Sequence, residues 1–313
     1  MTNADETVSF SGTQGPGKGK HIVFVSGDEE YRSEEGLPML AQMMATHHGF
    51  TCTVLFAIDP ETGCVDPECQ TNIPGLHHLA DADMMVMLIR FRELPDADMQ
   101  LFLDYAFSGR PMLALRTSTH AFEYSRNPDN PLAKYTWNHP RYEGGFGRQV
   151  LGETWVAHHG HHGHESTRGM ADVTNGSHPI LHGVGPIWVP TDVYEACPPD
   201  DVNVLIEGHV LMGMDRHDPV KADTPVMPIA WVRTANATIG VGRVLCSTMG
   251  ASVDLKDVSL RRLLVNGCYW CMAMEDAIDL NRSVDPVGDY QPTNFGFGAH
   301  RKGLRPVDFV PRV

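Results

Sequence analysis

Five histidines lie within seven residues of the chain, at His158, His159, His161, His162 and His164. Neutral imidazole is the commonest metal-binding side chain in proteins, and it also carries protons near neutral pH. The cluster therefore predicts a chemical site. Its composition leaves two kinds of chemistry open: a divalent metal held by histidines, or a metal-free site that uses histidine as acid or base. A third interpretation is a polar loop whose histidines hydrogen-bond to the backbone.

Two pairs in the cluster are spaced three residues apart, His158 with His161 and His159 with His162. We predict that His159 and His162 bind a divalent transition metal such as zinc, with a carboxylate completing the ligand set. The carboxylates considered are Glu153, Glu165 and Asp192. Without a metal, a histidine held by Glu153 would act as general acid or base. The predicted catalytic residues are therefore His158, His159, His161, His162, Glu153 and His120.

An acidic loop follows the first predicted strand. Its carboxylates suit a cation, sugar hydroxyls or the loop's own arginine; the alternative is a solvated turn that caps the next helix. Arg90 and Arg92 follow a later strand, where arginine suits bidentate binding of a carboxylate or an ion pair with the acidic loop. The predicted substrate-binding residues are Asp28, Glu29, Glu30, Tyr31, Arg32, Arg90, Arg116, Trp137 and Asp192.

These residues must be positioned by strands and helices that alternate along the first half of the chain. Apolar runs predict strands at 21–26, 51–56, 83–90 and 112–116, and helical periodicity predicts helices at 37–47 and 95–108. Further strands are predicted at 202–206, 227–233 and 243–248, and a last helix at 258–274. Continuous apolar strands alternating with helices indicate a mostly parallel sheet covered on both faces. Ligands bind such sheets beyond the carboxyl ends of the strands.

The chain divides into three predicted parts: a flexible N-terminal arm at 1–20, one α/β domain at 21–280 and an extended tail at 281–313 packed on the surface. Residues 124–176 show little periodicity and are rich in glycine, histidine and aromatic residues. A long irregular segment within a compact domain usually carries function. We therefore predict that it is an inserted active-site loop.

Composition excludes several function classes. The net charge of −15 argues against nucleic-acid binding, and no apolar run approaches the ~20 residues that span a membrane. No glycine-rich motif follows a strand, so no nucleotide cofactor is expected. The polar start predicts a cytoplasmic protein, with a periplasmic location as the alternative if a leader has been removed. Assembly into a homo-oligomer stays open.

Short motifs along the chain carry a family resemblance. They occur at 114–121 (ALRTSTHA), 144–146 (GGF), 178–180 (HPI), 191–194 (TDVY), 228–231 (PIAW), 242–244 (GRV), 248–250 (TMG) and 266–270 (NGCYW). In this order the chain resembles the ThuA-like (trehalose utilisation) family. The resemblance implies the class I glutamine amidotransferase-like, flavodoxin-related fold, a three-layer sandwich with a mostly parallel central sheet.

The chain departs from that pattern at the turn after the fourth strand. Amidotransferases have a nucleophilic cysteine there, whereas this chain has Arg116, so we expect no glutaminase activity. Many ThuA-like proteins have a histidine in the segment corresponding to 115–118; here the nearest histidine is His120. The five-histidine loop is an elaboration of the pattern.

The resemblance implies an enzyme of carbohydrate metabolism, linked to trehalose and 3-keto sugars, whose partner is a small-molecule carbohydrate. We predict proton abstraction next to a sugar carbonyl, leading to isomerisation or glycosidic-bond cleavage, with a metal polarising the carbonyl. One alternative is a sugar- or metabolite-binding module without catalysis. Another is a metal-dependent hydrolase of unoxidised glycosides or esters.

Overall fold

A computed structural model describes residues 6–312 of the chain. Its centre is a parallel sheet of five strands in the order β3-β2-β4-β5-β10. These strands are short apolar runs, buried along almost their whole length, as expected for strands covered on both faces. Their bounds are β2 (His21–Gly27), β3 (Thr51–Leu55), β4 (Met84–Ile89), β5 (Met112–Leu115) and β10 (Val244–Ser247).

Antiparallel strands extend this centre on both sides into one sheet of ten strands. On one side β1 (Thr7–Ser11) pairs with β3. On the other side the order continues through β9, β8, β6 and β7, and each of these pairs is antiparallel. Their bounds are β6 (Thr167–Ala171), β7 (Ile187–Val189), β8 (Val202–Val210) and β9 (Met227–Arg233). The prediction of a mostly parallel sheet thus holds for its centre, and the antiparallel extension is new.

In the part of the chain that the structure describes, three α-helices cover the two faces of the sheet: α1 (Ser33–His48), α2 (Asp96–Ala106) and α3 (Val258–Cys271). Alternate residues of β2 enter different cores. Phe24 packs in the core that contains α1 and α3, whereas Val23 packs in the core that contains α2. The chain is therefore a mixed α/β protein with an apolar core on each face of its sheet.

The described parts of the predicted arm and of the predicted tail both join the fold. Within the predicted flexible arm at 1–20, residues 7–11 form the edge strand β1, because their backbone pairs with β3; residues 1–5 lie outside the described part. The tail runs along the edge of the sheet where the parallel strands end, and Gly296 N donates to the Glu30 carbonyl at 2.9 Å. Residue 313 is not described. The division at 20 and 280 stays a prediction.

The segment 124–176, predicted as an inserted loop, is ordered by short helical turns at Pro131–Tyr135 and Gly147–Leu151 and by β6. Its histidines follow these turns and dock on residues 193–194: the amides of His159 and Gly160 donate to the Val193 carbonyl at 2.9 and 3.0 Å.

Among the helices in residues 6–312, none combines the length and the apolar character needed to span a membrane.

Candidate functional site

Strained backbone marks the edge where the parallel strands end. Among described residues other than glycine, five have positive φ, and three of them follow central strands: Arg32 (57°) after β2, Phe91 (51°) after β4 and Arg116 (43°) after β5. Each such conformation costs of order 1–3 kcal/mol and tends to occur where function requires it. The strain therefore points to the same edge that the strand directions indicate.

Two histidines of the loop meet one buried carboxylate at this edge. His158 Nδ1 lies 2.7 Å from Asp192 Oδ2, and His162 Nδ1 lies 3.0 Å from Asp192 Oδ1. One possible metal-binding atom from each of His158, His162 and Asp192 lies within 4.8 Å of the corresponding atoms of the other two residues. The Asp192 side chain is fully buried, whereas the His158 and His162 side chains are 40% and 32% exposed. We call these three residues the histidine–aspartate site.

Arg116 anchors the buried carboxylate. Its Nη2 donates to Asp192 Oδ1 at 2.7 Å, and its Nη1 donates to the Asp192 and Thr248 carbonyls at 2.8 and 2.7 Å. The guanidinium carbon lies 4.6 Å from the Tyr31 ring centre and 3.9 Å from that of Tyr194. Arg116 is buried, and its hydrogen bonds to the protein orient Asp192.

The charges of the site depend on one another. Burial alone would raise the pKa of Asp192, but Arg116 and the hydrogen bonds from both histidines hold it well below its usual range. Hydrogen bonds to Asp192 and Glu30 raise the pKa of His162 to about 9. The second of these joins His162 Nε2 to Glu30 Oε1 at 2.9 Å. Without a metal, His162 is therefore an imidazolium held between two carboxylates.

The acidic loop is mostly internal structure. Asp28 accepts hydrogen bonds from the amides of Glu30 and Tyr31 and from the Thr117 hydroxyl, which fixes the turn after β2. Arg32 donates to the Glu30 and Gly296 carbonyls at 3.2 and 2.5 Å. Of the five loop residues predicted to bind substrate, Glu30 contacts the histidine–aspartate site directly, through His162.

The two arginines after β4 have different environments. Arg92 is buried, and its Nη2 donates to Glu29 Oε1 at 2.6 Å. Arg90 Nη1 lies 3.9 Å from Glu29 Oε2, at the limit of an ion pair. The predicted ion pair with the acidic loop is therefore formed chiefly by Arg92. Burial raises the pKa of Glu29, and the Arg92 charge opposes this rise.

Aromatic rings connect Phe91 to the histidine–aspartate site. The His120 ring centre lies 5.2 Å from that of Phe91 and 5.6 Å from that of Trp155. Trp155 in turn lies 5.8 Å from His158 and 5.6 Å from Trp137. Burial, together with the charges of Arg90 and Arg116, lowers the pKa of His120 well below its usual value, so this imidazole is neutral. We call Phe91, His120, Trp137 and Trp155 the aromatic cluster.

Comparison with known proteins supports the fold. No protein-family model matches the sequence, and no curated protein matches it. A solved ThuA-like protein from Bacteroides uniformis matches with a TM-score of 0.50 and 14% identity, over 84% of this chain and 95% of that one. Another ThuA-like protein, from Parabacteroides merdae, matches with a TM-score of 0.51 and 12% identity, over 90% and 98%. The chain shares the ThuA-like fold. The predicted resemblance is confirmed at the level of the fold.

On this ThuA-like fold, three residues predicted as catalytic point elsewhere. His159 Nε2 contacts the Pro225 carbonyl at 2.8 Å, so the proposed ligand pair of His159 and His162 is not brought together. The exposed His161 ring stacks on His164, with ring centres 4.4 Å apart. Glu153 is buried and accepts hydrogen bonds from Arg148 and from the Thr154 and Cys197 amides at 2.6, 2.9 and 2.8 Å. Through these hydrogen bonds Glu153 connects Arg148 and the backbone at Thr154 and Cys197.

Other residues beside the site are absent from the predicted catalytic, substrate-binding and metal-binding sets. Trp155 and Tyr194 lie beside His158, and Phe295 of the tail lies 5.2 Å from the His162 ring. The sequence signal for Trp155 was its place three residues before the histidine cluster. Phe295 carried no signal for the site, because only the tail's path along the edge of the sheet brings it to His162.

The arrangement suits two kinds of chemistry. Two imidazole nitrogens and one carboxylate oxygen form a donor set typical of divalent transition metals. Glu30 Oε1 contacts His162 Nε2, the ring nitrogen that does not face Asp192. Carboxylates commonly contact the second ring nitrogen of a metal-binding histidine in this way. Without a metal, the partly exposed His158 and the buried Asp192 form a histidine–aspartate pair able to move a proton.

Proposed function

We propose that this chain is a carbohydrate-processing enzyme that acts on a sugar or 3-keto sugar by acid–base chemistry. One observation carries the proposal: two partly exposed imidazoles converge on the buried Asp192 carboxylate at the carboxyl edge of the sheet. Open α/β sheets bind ligands at this edge. The ThuA-like fold adds the link to sugars, which comes from the family resemblance and not from a shared residue.

We propose that the histidine–aspartate site holds a divalent transition metal such as zinc. His158, His162 and Asp192 supply the donor atoms, and Glu30 favours the His162 tautomer that has its hydrogen on Nε2 and leaves Nδ1 free. When bound, such an ion would polarise a sugar carbonyl or acidify a bound water. Asp192 is ionised at neutral pH because Arg116 stabilises its charge.

We propose that His120 accepts a proton from the carbon next to the sugar carbonyl, leaving the electron pair on the carbonyl oxygen as an enediolate. His120 is unprotonated at neutral pH and lies in the aromatic cluster that adjoins His158. In isomerisation, the proton would return to the former carbonyl carbon while the hydroxyl proton of the deprotonated carbon moves to the former carbonyl oxygen. In glycosidic cleavage, the enediolate would re-form its carbonyl, a carbon–carbon double bond would form to the anomeric carbon, and the glycosidic C–O bond would break. The leaving oxygen would take the proton held by His120. Glu153 takes no part, since its oxygens bond Arg148 and two amides.

A binding module without catalysis is the second candidate. The aromatic cluster favours it, because the flat faces of Trp137 and Trp155 suit the apolar face of a sugar ring. In this case neither a metal nor His158 would be needed for sugar binding.

Turnover of a 3-keto-glucoside tests the proposal. Metal-loaded and chelator-treated protein would be compared on the 3-keto-glucoside and on an unoxidised chromogenic glucoside. His158→Ala removes a residue of the site; His161→Ala is the matched control, because His161 lies in the same loop and outside the group. We expect turnover of the keto sugar by the wild type and His161→Ala, and loss of turnover in His158→Ala.

Each other outcome counts against the proposal in a different way. Equal turnover of the unoxidised glucoside would indicate the metal-dependent hydrolase. Sugar binding without turnover of either compound would indicate the binding module.

We also propose the finer architecture implied by the resemblance, a three-layer sandwich spanning residues 21–280. The apolar cores on opposite faces of the sheet, one containing α1 and α3 and the other α2, support it.

A further inference from the structure

Arg90 is distinguished by its unused hydrogen-bond donors. Among the described residues, no protein group accepts a hydrogen bond from its side chain, and its buried Nε has no partner. Two other arginines at this edge donate hydrogen bonds to the protein through several nitrogens. Arg92 donates to Glu29 and to the carbonyls of Arg90, Pro67 and Cys69. Arg116 donates to Asp192, to the Thr248 carbonyl and to the Tyr31 hydroxyl. An arginine that is mostly buried without such partners has donors available for a ligand.

Two aromatic rings fix the Arg90 guanidinium in place. Its central carbon lies 4.4 Å from the Phe91 ring centre and 4.8 Å from that of Phe297 in the tail. Stacking uses the faces of the guanidinium and leaves its N–H edge available for bidentate hydrogen bonds. The left-handed backbone at Phe91 sets the direction of this ring, so the stack belongs to the strained edge of the sheet.

Glu29 pairs chiefly with Arg92 and leaves Arg90 the longer contact. Arg92 Nη2 lies 2.6 Å from Glu29 Oε1, whereas Arg90 Nη1 lies 3.9 Å from Glu29 Oε2. Of the neighbouring carboxylates, Asp28 accepts hydrogen bonds in the turn after β2, and Glu30 contacts His162. Among the described residues, Arg90 therefore has no carboxylate within direct hydrogen-bond distance.

Arg90 lies at the same edge of the sheet as the histidine–aspartate site, and contacts between neighbouring residues connect the two. Glu29, beside Arg90, precedes Glu30, which bonds His162. Phe91, stacked on Arg90, is linked through His120 and Trp155 to His158.

We propose that Arg90 binds a carboxylate group of the substrate, and that the substrate is therefore a sugar acid such as a uronate. The sugar part rests on the proposed function, whereas the carboxylate part rests on Arg90 alone. The planar fork of arginine matches the two oxygens of a carboxylate, and such charge-assisted pairs are about twice as strong as neutral hydrogen bonds.

Calorimetric titration of the wild-type protein with three probes tests this. Glucuronate carries both the sugar and the acid, glucose lacks the acid, and cyclohexanecarboxylate lacks the sugar hydroxyls. We expect glucuronate to bind roughly tenfold or more tightly than glucose, because a hydrogen-bonded charge pair is worth at least that ratio. In Arg90→Gln this preference should fall to near one, and Arg90→Lys should keep an intermediate preference.

Arg110→Gln is the matched control, since the Arg110 guanidinium also stacks on an aromatic ring, Tyr105, at 4.2 Å, but near the start of β5. It should keep the wild-type preference. Equal binding of glucose and glucuronate would overturn the sugar-acid proposal while leaving the proposed function in place. Arg90-dependent binding of cyclohexanecarboxylate as tight as that of glucuronate would keep the carboxylate contact and overturn the sugar. Binding of none of the probes, or a preference unchanged in Arg90→Gln, would overturn the inference.

Discussion

Replacing Asp192 by asparagine removes the charge at the centre of the site while keeping the shape of the side chain. The Arg116 and Asp192 side chains are 1% and 0% exposed and lie 2.7 Å apart. Breaking a buried pair by removing one partner costs about 3–5 kcal/mol, because the remaining charge is left uncompensated. With an unfolding entropy of about 2.1 cal/mol/K per residue, a chain of 313 residues should lose roughly 4–8 °C of Tm.

Thermal unfolding followed by circular dichroism, in the presence of a chelator, measures this loss without a contribution from bound metal. Asp201→Asn is the matched control, because Asp201 pairs with Arg233 at 2.5 Å but is 50% exposed. A surface pair contributes about 0–1 kcal/mol, so the control should shift the Tm by roughly 1.5 °C or less. If Asp192→Asn lowered the Tm no more than Asp201→Asn, the argument that Asp192 compensates a buried arginine would be refuted.

Three further predictions concern Glu34, Glu153 and Trp155. Burial raises the pKa of Glu34 from 4.5 to about 8, and both of its oxygens lack a hydrogen-bond partner. The pKa of Glu34 is higher in the folded than in the unfolded protein, so stability that is present below pH 4.5 should be lost as the pH rises through 8. Glu34→Gln should flatten this pH dependence of the unfolding free energy, measured by denaturant unfolding. Parallel plots of unfolding free energy against pH for the wild type and Glu34→Gln would contradict the prediction. Glu153→Gln should lower the unfolding free energy by roughly 1–3 kcal/mol, because Glu153 accepts three hydrogen bonds. Turnover per folded molecule should be unchanged. A loss of turnover without a loss of stability would restore Glu153 as a catalytic residue. Trp155→Ala should weaken sugar binding by about tenfold in calorimetry, because the Trp155 ring contacts the rings of both Trp137 and His158. Unchanged affinity would exclude the aromatic cluster as the sugar site.

Local patterns were sufficient for the strands and helices with clear periodicity. The predicted strand 227–233 coincides with β9, and the helix predicted at 95–108 is α2 with shorter ends. The strand β6 (Thr167–Ala171) was missed, because Gly169 and few β-branched residues give it little strand preference. Its strand conformation comes from pairing with β8, and the space at Gly169 is tight, since an added Cβ would lie 3.0 Å from the Ile206 side chain. Such long-range pairing leaves no local pattern.

The histidine cluster was recognisable from the sequence, but which of its histidines face Asp192 was not. Docking of the loop on Val193 turns His158 and His162 towards Asp192 and turns His159 towards Pro225. This choice depends on strands distant in sequence, so spacing within the cluster favoured the wrong pair. Glu153 shows the same limit: its proximity in sequence suggested a partner for histidine, whereas its contacts are with Arg148 and two amides.

Zinc binding by the chelator-treated protein tests the central claim most directly. Equilibrium dialysis followed by elemental analysis would compare the wild type with His158→Ala and with the control His161→Ala, which differ in whether the replaced histidine belongs to the group around Asp192. The account predicts one zinc ion per chain in the wild type and in His161→Ala, and none in His158→Ala. A wild type that binds no zinc, or a His158→Ala variant that binds as much as the wild type, would contradict it.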